Sequence, residues 1–198
     1  MGVKYQINKT ALNELNKQLR VRKRALPTIK NKESALRLEV KKAKSLADEV
    51  EARQTELTGK LQYMSGLWSE FRSELITVDD VKVSLTKIAG VKIPVLKEVI
   101  FTVHDFNLFS SPFWVVDGIQ ILKELTTLGI EREFYLEKMR LLDRARKKTT
   151  QKVNLYEKVQ IPDYESAIQK IKRFLEDEEN LSKSAQKIVK KRYEEVAE

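Results

Sequence analysis

The sequence predicts a mainly α fold. A long antiparallel two-helix coiled coil, built from the N- and C-terminal segments, carries a small central β-hairpin and a short irregular segment at its turn-around end. Three observations predict it: an unbroken heptad seam in the first third of the chain, a second and less regular seam in the last third, and a period-two pattern between them. Composition agrees. Of 198 residues 34% are charged, and only 6 are Gly and 4 Pro, so the chain has few places to turn and is built of few, long elements.

The first seam is found by stepping alternately three and four residues from Leu12 to Leu75. It includes Leu19, Leu36, Val40, Ala43 and Ala47, and sixteen of its nineteen positions are apolar. A period of 3.5 held this long is a coiled-coil seam. A helix over residues 12–75 would be roughly 95 Å long at 1.5 Å per residue. Asn8 or Thr10 can cap it. Pro27 removes a backbone donor and should bend the helix or cost a hydrogen bond near residue 23.

The middle follows another rule. In VKVSLTKIAGVKIPVL, Val81 to Leu96, apolar residues alternate on either side of Ala89-Gly90. That is a hairpin signal. Pro94 marks an exposed edge, so Val83, Leu85, Ile88, Val91, Ile93 and Val95 are read as a partner-docking hairpin. Residues 101–114 are aromatic and read as irregular, a second docking surface, with Trp114 expected to pack under the hairpin. The organisation that follows is residues 1–76 as the N-terminal helix, 77–116 as the hairpin and aromatic segment, and 117–198 as the C-terminal helix.

That last helix is expected from a cap at Asp117. Its seam runs through Tyr135, Met139, Leu142, Val153 and Tyr156, then resumes with Ile161, Tyr164, Ile168, Ile171, Leu175, Ala185, Val189 and Val196. The second part is shifted by one residue relative to Tyr156, and Pro162 stands where the shift falls. Proline and phase shift read as one event, a local change of winding between two coiled-coil segments. If the chain ends are level, Leu12 lies near Val196 and paired position numbers sum to about 208. This sets Leu19 against Val189, Leu36 against Ile171, Val40 against Ile168, Ala43 against Tyr164 and Ala47 against Ile161. It also sets the acidic run 176–179 beside Lys30 and Lys32.

Chemistry is sparse. There is no Cys, one His (His104), no Gly-rich phosphate loop and no HExxH motif. The common nucleophile–base pairs are thereby not available and thiolate metal sites are excluded, and no catalytic, cofactor or metal residue is assigned. No secretory signal is visible, and no apolar run approaches the ~20 residues of a membrane span. The net charge of +9 is concentrated early, with 13 Lys/Arg against 5 Asp/Glu in residues 1–50. Arg20, Arg22, Lys23, Arg24, Lys30 and Lys32 form a basic face denser than solubility needs, suited to an acidic protein surface or to nucleic acid. A zipper-type DNA reader needs an unbroken basic helix, and Pro27 falls within it. A non-rotary coiled-coil adaptor and a basic helical nucleic-acid binder remain alternative readings.

Three stretches carry a family resemblance: INKTALNELNKQLRVRKRALPTIKNKESAL, VKVSLTKIAGVKIPVL and KVNLYEKVQIPDYESAIQKIKRFLEDEE. In order, spacing and total length the chain resembles the D subunits of the V-type/A-type rotary ATPases. The last stretch is the most specific, with Val153, Asn154, Glu157, Ile161 and Pro162 as the family motif. The resemblance implies a non-catalytic central rotor shaft that transmits torque between a nucleotide-hydrolysing head and a membrane ion-translocating ring. It implies a coiled coil inside a hexamer of A and B subunits, met by the basic face. The small F subunit would sit on the central region, and a funnel-shaped subunit of the C/d type would hold the lower end above the ring. The expected location is cytoplasmic and peripheral to the membrane, with no direct contact to nucleic acid.

Overall fold

The computed structural model describes residues 5–107 and 111–197, with side chains to Tyr193. Helix α1 spans Lys9–Lys60, strands β1 and β2 span Ile76–Ile88 and Val91–Val103, helix α2 spans Trp114–Asn154, and helix α3 spans Ile161–Ala197. A π-helical turn, Leu155–Gln160, joins α2 to α3. The chain divides into two compact units, residues 1–32 with 149–198, and residues 33–148.

Helix α1 starts as the sequence suggests. The Asn8 side-chain oxygen accepts from the Ala11 amide at 2.6 Å, which satisfies one of the unpaired donors of the first turn. Every seam position from Leu12 to Leu57 is buried or half-buried. Pro27 lies inside the helix without ending it. The helix does end at Lys60, short of the expected residue 75. Thr55 and Thr58 turn their hydroxyls back onto the carbonyls of Glu51 and Gln54 at 2.8 Å, and Gly59 and Gly66 follow. Back-bonding and glycine both weaken a helix end. Three short 3₁₀ turns continue from Gln62 to Leu75. They keep the seam side chains turned inward: Met64 is buried, and Trp68 and Phe71 pack on Trp114 with ring centroids 5.8 and 6.0 Å away. Trp114 thus packs on the turn segment, at the start of α2, and α2 begins there rather than at Asp117. Gly118 lies one turn on, where a Cβ would come within 3.3 Å of the Trp114 ring.

The second unit, residues 33–148, is built on three fully buried side chains, Leu36 of α1, Ile93 of β2 and Leu142 of α2. Val40, Ile88, Val91, Leu141 and Ala145 pack around them. The hairpin is longer than expected. β1 begins at Ile76, and β2 runs through Phe101 to Val103, a stretch read from sequence as irregular. Leu108, Phe109 and Ser110 of that aromatic segment lie outside the described residues. Ala89 and Gly90, at φ 49° and 81°, form the two-residue turn between Ile88 and Val91. Positive φ at both positions gives a hairpin turn whose twist matches that of the strands.

In the first unit, Leu15, Tyr164, Ala167, Ile168 and Ile171 form the core, with Tyr5, Leu12, Leu19 and Leu175 against it. The antiparallel pairing is as expected, but its register is not. Paired position numbers sum to between 182, for Gln18 with Tyr164, and 188, for Lys23 with Glu165. The expected sum near 208 is therefore corrected by about three heptads. Ile171 packs with Leu15 instead of Leu36, and Tyr164 faces Gln18 instead of Ala43. Ala43 and Ala47 belong to the other unit, Val189 is exposed, and Glu179 pairs with Lys183 rather than lying beside Lys30. Val196 lies outside the described side chains. An aliphatic seam repeats every seven residues, so registers a whole number of heptads apart look alike in sequence. Level chain ends were the wrong tiebreaker, because every residue from Glu176 to Tyr193 is exposed.

The π turn explains the phase shift. Inward positions run Val153, Tyr156, Gln160, Tyr164, Ile168, Ile171 and Leu175. Three successive steps of four replace the alternation of three and four, which inserts one residue. The Ile161 amide donates to the Tyr156 carbonyl, five residues back. In an uninterrupted α-helix the Pro162 ring would run into the carbonyl of Lys158. Widening the preceding turn accommodates the ring and the extra residue together, so both flanking segments keep their apolar side chains inward.

Candidate interaction surfaces

No buried polar or charged side chain occurs among the described residues, and among them no cluster of His, Asp or Glu could hold a metal ion. His104 is exposed, with its ring 3.5 Å from the Thr77 hydroxyl. The chemistry on offer is that of surfaces.

Of the six residues of the basic face, three are engaged across the helix pair. Lys23 binds Glu165 and Lys30 binds Glu157, both at 2.6 Å. Arg22 donates through Nε to the Gln160 side chain at 2.9 Å, and its guanidinium lies 4.4 Å over the Tyr164 ring. Arg22 occupies a seam position, which is why it is half-buried. Arg20, Arg24 and Lys32 stand on the outside and are exposed. The basic face is therefore narrower than the sequence count suggests.

The hairpin also divides. Ile88, Val91 and Ile93 turn into the core of the second unit, and Ile93 is fully buried. Val83, Leu85 and Val95 are 46%, 73% and 39% exposed. Period two sets Val83 and Leu85 on the face opposite Ile88, Val91 and Ile93, whereas Val95 shares the parity of Val91 and Ile93 and is partly exposed on that same face. The exposed set is the only part of this group available for docking. Lys82 and Glu98 are joined across the strands at 2.7 Å, which lowers the Glu98 pKa and raises that of Lys82, mainly through that hydrogen bond.

Two surfaces were not legible in the sequence, and a third was expected. On α3, Leu181, Ile188, Val189 and Tyr193 are exposed, Tyr193 at 74%. The register expected from the sequence pairs this segment with α1, and the structure does not. In the second unit Phe113, inside the segment 101–114 expected to be a docking surface, is fully exposed, and Tyr63 is 83% exposed. The same unit has an open apolar groove of about 780 Å³ lined by Thr55, Thr58, Leu61, Trp68, Leu122 and Leu125. It exists because α1 stops early, which the heptad pattern concealed.

Long helices, a small hairpin and exposed apolar stripes, without a reactive constellation among the described residues, define a helical scaffold of the kind that works inside an assembly. The family model for ATP synthase D subunits matches residues 11–191, and the chain belongs to that family. It is 32% identical to the V-type ATP synthase D subunit of Borreliella burgdorferi over 190 residues, 94% of each chain. It is 28% identical to the V-type ATP synthase D subunit of Chlamydia muridarum over 203 residues, the full length of both. The corresponding D subunit of Chlamydia pneumoniae is 26% identical over 98% of this chain.

Proposed function

We propose that the chain is the central rotor shaft of a V/A-type ATPase or ATP synthase. It carries torque between the A/B head and the membrane ring and takes no part in the chemistry of ATP. The observation that carries this reading is the family match over residues 11–191, on a chain whose terminal segments pair as antiparallel helices. The work is divided among residues 1–76, 77–116 and 117–198. The terminal segments sit inside the A/B hexamer, with Arg20, Arg24 and Lys32 outermost on the basic face. The central segment binds the small F subunit through the outer face of the hairpin, and a funnel-shaped subunit seats the shaft over the ring. No described helix is long and apolar enough to cross a membrane, which suits a peripheral component. Exposed contacts at about 0–1 kcal/mol each suit a part that turns in its bearing without locking.

The test is reconstitution. The purified chain should assemble with an A/B hexamer and be required for hydrolysis to drive rotation of a bead or rod fixed to it. On its own it should show no ATP turnover. Turnover that follows the pure chain and disappears on mutation of its own residues refutes the shaft reading. Binding to DNA or RNA that falls steeply with salt supports the nucleic-acid alternative.

A further inference from the structure

We propose that the π turn Leu155–Gln160 is a compliant joint in the helix pair, and that Arg22 of the facing helix is the clamp that sets its rest position. Hydrogen bonding argues for the joint. Pro162 offers no N–H, so the preceding turn lacks the donor that an α-helix would place there. A π turn is rare and occurs mostly as a single widened turn within an α-helix, frequently at functional sites. Packing agrees. Leu155, Glu157, Lys158 and Val159 are exposed, while four residues between Tyr164 and Ile171 are buried. The turn is thus weakly bonded and weakly packed beside a well-packed stretch, the usual condition for local opening. Winding points the same way, since the inserted residue locally unwinds α3 against an α1 that keeps a steady heptad.

The clamp is a polar layer across the seam. Arg22 Nε donates to Gln160, the last residue of the turn, at 2.9 Å. Its Nη1 donates to the Gln18 carbonyl and side chain at 3.2 Å. The Tyr164 hydroxyl donates to the same Gln18 side chain at 2.8 Å, with the guanidinium over its ring. One arginine thereby ties α1 to residues on both sides of Pro162. Polar residues at single seam positions are known to fix alignment in coiled coils. Here the layer falls on the π turn, where the alignment would otherwise be loosest.

The joint stands on this geometry alone. Its use as a place where torque is held as twist rests on the shaft reading. Hydrogen–deuterium exchange on the full-length chain separates the two, because it needs no other component of the complex. Amides of residues 155–163 should exchange at least about tenfold faster than those of 141–154 and 164–175, as expected of a locally opening turn. Arg22→Leu should speed 155–163 further and leave both flanks unchanged. Gln160→Leu, which removes the acceptor from the other helix, should do the same should Arg22→Leu fail to fold. Equal protection across the three segments overturns the joint. Acceleration spread evenly over the flanks overturns the clamp, since Arg22 would then act only through overall stability. A flat profile leaves the shaft reading intact, and failed assembly with an A/B hexamer leaves the joint intact.

Discussion

Leu36→Ala puts the core of the second unit to a quantitative test. Leu36 is fully buried against Ile93 and Leu142, with Val40, Ile88, Val91, Leu141 and Ala145 around the cluster. Truncation removes three carbons, about 2–2.5 kcal/mol of transfer free energy. The neighbours come from α1, both strands and α2, so they cannot all relax inward. A residual cavity then adds roughly another 1–2 kcal/mol, for a total of about 3–4.5 kcal/mol. Urea denaturation followed by tryptophan fluorescence reads the right region, because Trp68 and Trp114 both lie in that unit. With a typical slope of about 1–3 kcal/mol per molar, the midpoint should fall by about 2 M. A loss below about 1 kcal/mol would refute the reasoning, since it would mean the strands and helices are not joined through this residue.

Other substitutions probe other parts. Ala43 is fully buried, so Ala43→Leu should overpack its surroundings and cost about 1–3 kcal/mol in the same assay. Asp143 accepts from Arg146 at 2.7 Å and Lys147 at 3.0 Å, and these bonds hold its carboxyl below the ordinary 3.8. A depressed carboxylate contributes stability above its unfolded pKa and loses it as the pH falls through the folded value. Wild type should therefore exceed Asp143→Asn in thermal stability at neutral pH, with the gap closing in acid below pH 3.8. Leu85 is 73% exposed on the outer hairpin face. Leu85→Ser should leave circular dichroism and melting unchanged, and should weaken capture of the small F subunit in a pull-down.

The helices were legible because a helical seam is a local, repeated signal. Every seam position expected in α1 is turned inward, and the phase shift at Pro162 already marks the π turn. The hairpin turn at Ala89-Gly90 was equally plain. What stayed hidden was nonlocal. Register could not be read, because exchanging Leu36 for Leu15 opposite Ile171 leaves the pattern intact. The end of α1 was hidden because Met64, Trp68 and Phe71 keep heptad spacing while serving 3₁₀ turns. Among the candidate surfaces, strand alternation already divided Ile93 from Leu85. The sequence could not indicate which set would face the core, since both are apolar. Nor could it reveal that Lys23 and Lys30 are paired across the helices, as that depends on the register.

The exposed length of α3 has a consequence for how the protein is handled before it meets its neighbours. From Glu176 to Tyr193 every residue of the helix is exposed, and local terms such as the Lys183–Glu179 pair help to hold it. Most helical stability in proteins comes from tertiary packing, of which this stretch has little. Leu181, Ile188, Val189 and Tyr193 then form a sticky strip, with lysines at 183, 187, 190 and 191 offering cleavage sites to a trypsin-like protease. Freshly made chain is open to nicking and to unwanted association at this end. Burial of this segment in an assembly would remove both hazards at once, so its resistance to protease would then gauge how much of the protein has assembled.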